Sequence, residues 1–166
     1  MTVEARLTNK EMYNFLLRHN YFSLGGICGV ILSIGAIVLA VLNINNTQMN
    51  GTYKMALVFV GLLFTVIQPV MLYTKASSQV KKNDSVNKPL KYTFTDKDFS
   101  ISVDEDSVTQ SYEDIIKVIS TKLSVIIYIN KYRAFILPKS AIGENMEQLK
   151  ALLEKNAKNA KVINVK

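Results

Sequence analysis

A single histidine, His19, and a single cysteine, Cys28, are all that 166 residues offer of the side chains most used for catalysis and metal binding. One cysteine forms no intrachain disulfide, so no oxidising compartment is implied. Ile27, where a lipoprotein cleavage site would have a small residue, precedes Cys28, and a thiol within an apolar stretch behaves as a small hydrophobe. There is no Gly-rich phosphate loop, no H-E-x-x-H and no G-x-S-x-G. The acids Asp104-Glu105-Asp106 and Glu113-Asp114 are consecutive, without the alternating spacing of a calcium loop, and read as solvated turns or strand edges. His19 has no sequence partner that would make it a pH sensor. These absences argue against an enzyme, a metal site and a bound cofactor.

Charge is the other absence. Between His19 and Lys54 the chain carries none, and residues 22–42 and 55–73 are almost wholly apolar. About 20 helical residues rise roughly 30 Å, the thickness of a bilayer's hydrocarbon core. The reading is a membrane hairpin of two helices joined by an outward loop at 43–54, whose clustered asparagines and Gly51 suit a turn. A polar leader of some 20 residues and so long an apolar run fit a cleaved signal peptide poorly. Arg6, Lys10 and Arg18 precede the first helix and Lys75, Lys81, Lys82, Lys88 and Lys91 follow the second, against Lys54 alone on the loop side. Both termini are therefore expected to be cytoplasmic. With no acidic or basic residue inside either apolar stretch, an ion or proton pathway is not expected.

Within the first stretch Gly25, Gly29 and Ser33 recur every four residues, continued roughly by Ala36 and Ala40, and Gly61 with Thr65 offers a small face on the second. Small faces let helices approach closely in lipid, so these residues are expected to pack the hairpin, with homo-oligomerisation through the same stripe as the rival use. Pro69 removes an amide donor and predicts a kink over residues 65–69, where Gln68 is placed either to hydrogen-bond across to the first helix or to satisfy a freed carbonyl.

The flanks are ordinary. Thr8-Asn9-Lys10-Glu11 has the spacing of a capping box, so a helix should start at Asn9, and Met12, Phe15, Leu16 and His19 give it an apolar face. Residues 1–21 read as an interfacial lead-in and 74–89, rich in Ser, Asn and Lys, as a linker. From residue 90 the period changes to two: Lys91-Tyr92-Thr93-Phe94, Phe99-Ser100-Ile101-Ser102-Val103 and Ser107-Val108-Thr109-Gln110-Ser111-Tyr112, then residues 115–120, 124–129 and 132–137. These predict an antiparallel meander of about six strands. Pro138 ends it, and a helix follows with Met146, Leu149, Leu152 and Leu153 on one face, able to close the sheet. Val162, Ile163 and Val165 leave a short last strand open.

After Thr74 the chain holds 16 Lys and Arg against 11 Asp and Glu. That balance suits an anionic membrane surface, whereas nucleic acid is not expected, because the basic residues alternate with acids and no motif accompanies them. Lys117, Lys122, Lys131, Arg133 and Lys139, on or between the later strands, are the candidates for contact with lipid or a protein partner, with scattered solubilising lysines as the alternative.

Tyr112-Glu113-Asp114-Ile115-Ile116-Lys117-Val118 and Ala134-Phe135-Ile136-Leu137-Pro138-Lys139-Ser140-Ala141-Ile142, after a two-helix hairpin, resemble the YcxB-like family of bacterial membrane proteins. The leader Leu7-Thr8-Asn9-Lys10-Glu11-Met12-Tyr13 is similar to that family's opening. In the family an aromatic, often Trp, stands where Tyr112 does, and Phe is common where Ile142 does. The resemblance implies a membrane α-hairpin plus an α+β domain, 90–166, with a PH-like sheet or barrel closed by the C-terminal helix, in a bacterial inner membrane. It implies no catalytic residues. The expected function is non-enzymatic: a module mediating protein interaction or assembly at the membrane surface, with an unknown protein partner and membrane lipids. The alternatives are protection against a membrane-active peptide and anionic-lipid binding.

Overall fold

The structure is a computed structural model that describes residues 1–82, 84–160 and 163–164. The chain divides into two units, Met1–Phe15 with Ser77–Lys166, and Leu16–Ala76.

The second unit is a helical hairpin. Helix α1 (Asn9–Tyr21) runs into it, and α2 (Leu24–Leu42) begins after a break at which Ser23 Oγ accepts from Gly26 N at 3.0 Å. The returning helix runs from Gly51 to Lys82 and comprises α3 (Gly51–Leu62), a π-turn (Leu63–Ile67) and α4 (Gln68–Lys82). Asn50 caps it by accepting from Thr52 N at 3.0 Å, and in the connecting loop Lys54 Nζ donates to Ile44 O at 3.0 Å. Both helices are long and apolar enough to cross a membrane. The expected linker at 74–89 is instead helical as far as Lys82, followed by the short α5 (Asp84–Asn87). Polarity marks where the apolar stretch ends, but Lys, Gln, Ser and Ala do not stop a helix, and no Gly or Pro intervenes before Pro89.

The kink expected at Pro69 takes the form of the π-turn just before it. In that turn the Gln68 N–H goes to Leu63 O, and the next donor would be Pro69, which has none. Phe64 O, left without either, accepts from the hydroxyl of Tyr21. Gln68 was one expected partner for such a carbonyl; the tyrosine that ends α1 supplies the bond.

The other unit is α+β. Strands β1 (Thr2–Ala5), β2 (Leu90–Phe94), β3 (Asp98–Val103) and β4 (Asp106–Ser111) form one antiparallel sheet in that order. Strands β7 (Ala134–Pro138), β6 (Ser124–Tyr128), β5 (Lys117–Ser120) and β8 (Ile163–Asn164) form the second, with β8 parallel to β5. The expected antiparallel strands are present, but among the described residues they form two four-stranded sheets in place of one meander, with no ladder between the two. After β4 the chain turns through a 3-10 turn, Tyr112–Asp114, in place of continued pairing. Val162 and Val165 lie outside the described residues.

The leader is also corrected. Residues 1–21 are not helical throughout, because Thr2–Ala5 is a strand paired with β2 in the register Val3↔Tyr92 and Ala5↔Leu90. Glu11 does reach back to Thr8 N at 3.0 Å, starting α1 at Asn9.

Alternation explains the first sheet: Leu90, Tyr92, Phe94, Phe99 and Ile101 are buried while their neighbours are less so. Phe99 is the meeting point of the two sheets, with Phe94 stacked at 5.7 Å between centroids and Phe135 of β7 edge-on at 5.8 Å. Tyr92 donates from β2 to Ile136 O of β7 at 2.9 Å. Strand β6 lacks alternation because both its faces are covered: Val125 and Ile127 are buried on one, while Ile126 and Tyr128, with Ile119 of β5, pack with Phe15 of α1 on the other. Helix α6 (Lys139–Ile142), the 3-10 turn Gly143–Asn145 and α7 (Met146–Asn156) follow, and Leu149 and Leu153 of α7 are fully buried.

Candidate functional site

The small residues of the hairpin do not all lie where a four-residue repeat puts them. Gly26, Gly29, Ser33 and Ala36 are the buried residues of α2, whereas Gly25 is exposed with nothing within 4 Å of where its Cβ would be. A Cβ at Gly29 would lie 2.2 Å from the Phe64 ring, and one at Gly61 2.6 Å from Ile37 Cγ1. A Cβ at Gly26 would lie 1.9 Å from Asn20 O, so the turn from α1 into α2 requires a glycine there. Ser33 Oγ donates to Val60 O at 2.9 Å across the pair. Gly26 is thus buried by the turn at Ser23, and Gly29 by Phe64 of the returning helix. Cys28 sits on the exposed side of α2.

The five basic candidates separate into two groups. Lys117 pairs in register with Tyr128, and Tyr128 with Ala134, so Lys117 stands at the end of the sheet from which the β6–β7 turn, with Lys131 and Arg133, projects. Lys122 lies in the β5–β6 turn, and Lys139 N donates to Leu123 O, which places both at the opposite end. At about 3.3 Å per residue the five residues of β6 hold the groups roughly 15 Å apart. The β6–β7 turn is tightly tied: Asn130 Oδ1 accepts from Tyr132 N at 2.8 Å and Arg133 N at 2.7 Å, and Ile129 N donates to Arg133 O at 3.0 Å. The Arg133 guanidinium lies over the Phe135 ring at 5.4 Å.

The acidic clusters are turns. Asp104, with φ of 51°, takes the left-handed position of the β3–β4 turn and pairs with Lys88. Glu113 N is capped by Ser111 Oγ at 3.2 Å. Among the described residues no group of three or more His, Cys, Asp or Glu could hold a metal ion.

Sequence reasoning missed one concavity, an open cleft of about 450 Å³ where the β2–β3 turn (Asp96, Lys97), the 3-10 turn (Tyr112, Glu113), the end of α7 (Lys155) and the turn after it (Lys158) converge. Across it Lys155 Nζ is 3.9 Å from Asp96 Oδ1, and Asn159 Nδ2 donates to the Glu113 backbone carbonyl at 3.1 Å. Burial, with Asp98 and Asp96 nearby, pushes the Tyr112 phenol up to about 12, so it stays protonated and donates to Thr95 O at 2.8 Å. Burial raises the Tyr92 phenol further. The acids and lysines along α7 read as its wet face, and only the turn at Tyr112 brings them to a wall.

No curated protein and no solved structure matches the chain. A family model described as YcxB-like protein matches residues 94–153, from the last residue of β2 to Leu153 in α7. The match takes in both motifs, 112–118 and 134–142, and includes neither β1 nor the apolar helices. Over residues 94–153 the chain therefore matches the YcxB-like family.

Proposed function

We propose that the chain is a non-enzymatic, multi-pass protein of a bacterial inner membrane. Its α2–α4 hairpin is the anchor, and a PH-like module on the cytoplasmic side mediates protein interaction or assembly at the membrane surface. The observation that carries this reading is the pairing of β1 with β2. Residues 2–5 and 90–94 share one sheet, so they share one side of any bilayer that the intervening helices cross, and the crossings between them must be even in number. Two apolar helices supply two. The excess of Lys and Arg on that side argues that it is cytoplasmic. Two sheets meeting at Phe99, with a buried-faced helix at the chain's end, support the PH-like reading. The exposed apolar sides of both long helices support lipid as their surroundings.

Single cysteines at Glu4, Asn46 and Glu154, in a Cys28→Ala background, test the topology with a membrane-impermeant maleimide on intact cells. Labelling at Asn46 alone, with Glu4 and Glu154 reacting only after permeabilisation, is expected. Opposite behaviour of Glu4 and Glu154, or release of the protein by alkaline carbonate, would sink the anchor reading. Photo-crosslinking from the exposed faces of both sheets in native membranes tests the interaction role. A discrete adduct supports it, and absence of any adduct from every position counts against it.

A further inference from the structure

Outside the two long helices the most exposed large apolar side chain is Tyr132, 92% exposed at the tip of the β6–β7 turn. Lys131 and Arg133 flank it, and Ile116, 41% exposed, stands beside the same end of the sheet with its N–H on Tyr128 O at 2.9 Å. Lys117 completes the group. Among the described residues none of Lys117, Lys131 and Arg133 makes an ion pair. The nearest acid along the chain, Asp114, leaves a net positive end. The Asn130 bonds hold the turn's backbone so that the aromatic ring stands out in water between two cations.

We propose that this tip is a foot by which the domain docks on an anionic bilayer surface, with the Tyr132 ring at headgroup depth and Lys131, Arg133 and Lys117 against lipid phosphates. It rests on the anchor reading above and specifies the surface. Tyrosine prefers the membrane–water interface, where its ring is shielded and its hydroxyl stays wet. Each nearby Lys or Arg adds about 1 kcal/mol at an anionic leaflet. A specific protein interface needs about 800 Å² per partner, more than a convex tip of a few residues offers, whereas shallow insertion needs only the ring. Attachment to the bilayer raises the local lipid concentration, so a weak contact suffices. Among the described residues the opposite end, Lys122 and Lys139, has no comparably exposed aromatic.

The chain has no tryptophan, so Tyr132→Trp makes a sole reporter. The full-length variant is placed in lipid nanodiscs of phosphatidylcholine alone or with one-third phosphatidylglycerol. The expected result is blue-shifted emission, quenched by lipids brominated near the headgroup, in anionic discs and much less in neutral ones. Adding Lys131→Gln and Arg133→Gln should lower the docked-to-free ratio about thirtyfold. A Leu123→Trp reporter, at the far end, should stay unquenched. Water-exposed emission at position 132 in both lipids, or quenching at 123 in its place, overturns the proposal. So does protection that appears only with two copies per disc, which would mean contact with a second chain. Disc association is scored separately by co-elution: its loss defeats the anchor, whereas solvent-exposed emission from a co-eluting protein defeats the foot alone.

Discussion

Two adjacent glycines, Gly25 and Gly26, have opposite environments, and the difference rests on where α2 begins. Both fit a small-residue stripe when the repeat is counted along the sequence. Gly26 is covered by the Asn20 carbonyl at the break before Ser23, a local turn that spacing alone does not register. The consequence is sharp at Gly29, where a methyl would fall on the Phe64 ring. Gly29→Ala is expected to destabilise the hairpin by about 1–3 kcal/mol through overpacking. Gly25→Ala should be neutral or stabilising, because it meets nothing and alanine is the better helix former by about 1 kcal/mol. Thermal unfolding in detergent compares them; equal effects would show that the two helices do not meet through this face.

Among the elements, alternating strands were legible wherever one face is wet, as in β2 and β3, and so was the helix start at Asn9. Strand β1 was not. Thr-Val-Glu-Ala is too short to announce itself, and its partner lies more than 80 residues on. The division of the basic residues between two ends of the sheet was equally hidden, since it follows from the register of β5 with β6. What joins the sheets is aromatic: Phe99 by contact and Tyr92 by its bond to Ile136 O. Unfolded phenols ionise near pH 10, while Tyr112 holds its proton to about 12 and Tyr92 beyond it. Raised values mean that the unfolded state releases protons first, so this stability is whole below pH 10 and declines as pH rises towards 12 and above. Melting temperature followed through that window should fall, and the Tyr92→Phe, Tyr112→Phe pair should fall less steeply. A decline of the same steepness in the pair would assign the alkaline loss to other groups.

For the molecule as a whole, the N-terminal strand makes the sheet domain discontinuous in sequence. Residues 77–166 expressed alone would present β2 as an open edge, with Leu90, Tyr92 and Phe94 short of their cover. In the full chain, Val3→Glu should free β1 without unfolding the rest, because Val3 is buried by its pairing while β6 lies in the other sheet. Loss of that burial costs about 2 kcal/mol, so hydrogen-exchange protection at Phe94, whose N–H is held by Met1 O, should drop roughly thirtyfold. Protection at Ile126 should hold. Equal loss at both would mean that the two sheets unfold together.

The Met1–Phe94 bonds also close a loop whose ends are 93 residues apart. Free closure of so long a segment costs chain entropy that grows with the logarithm of its length. When α2 and the returning helix are already side by side, most of that loop is short-circuited, a saving on the order of 1 kcal/mol. The hairpin therefore acts as a clasp whose tightness sets how firmly the first strand stays zipped. For a hairpin that crosses a bilayer, as proposed above, a thickness mismatched to the helices would loosen the clasp and, with no ligand involved, fray a sheet edge.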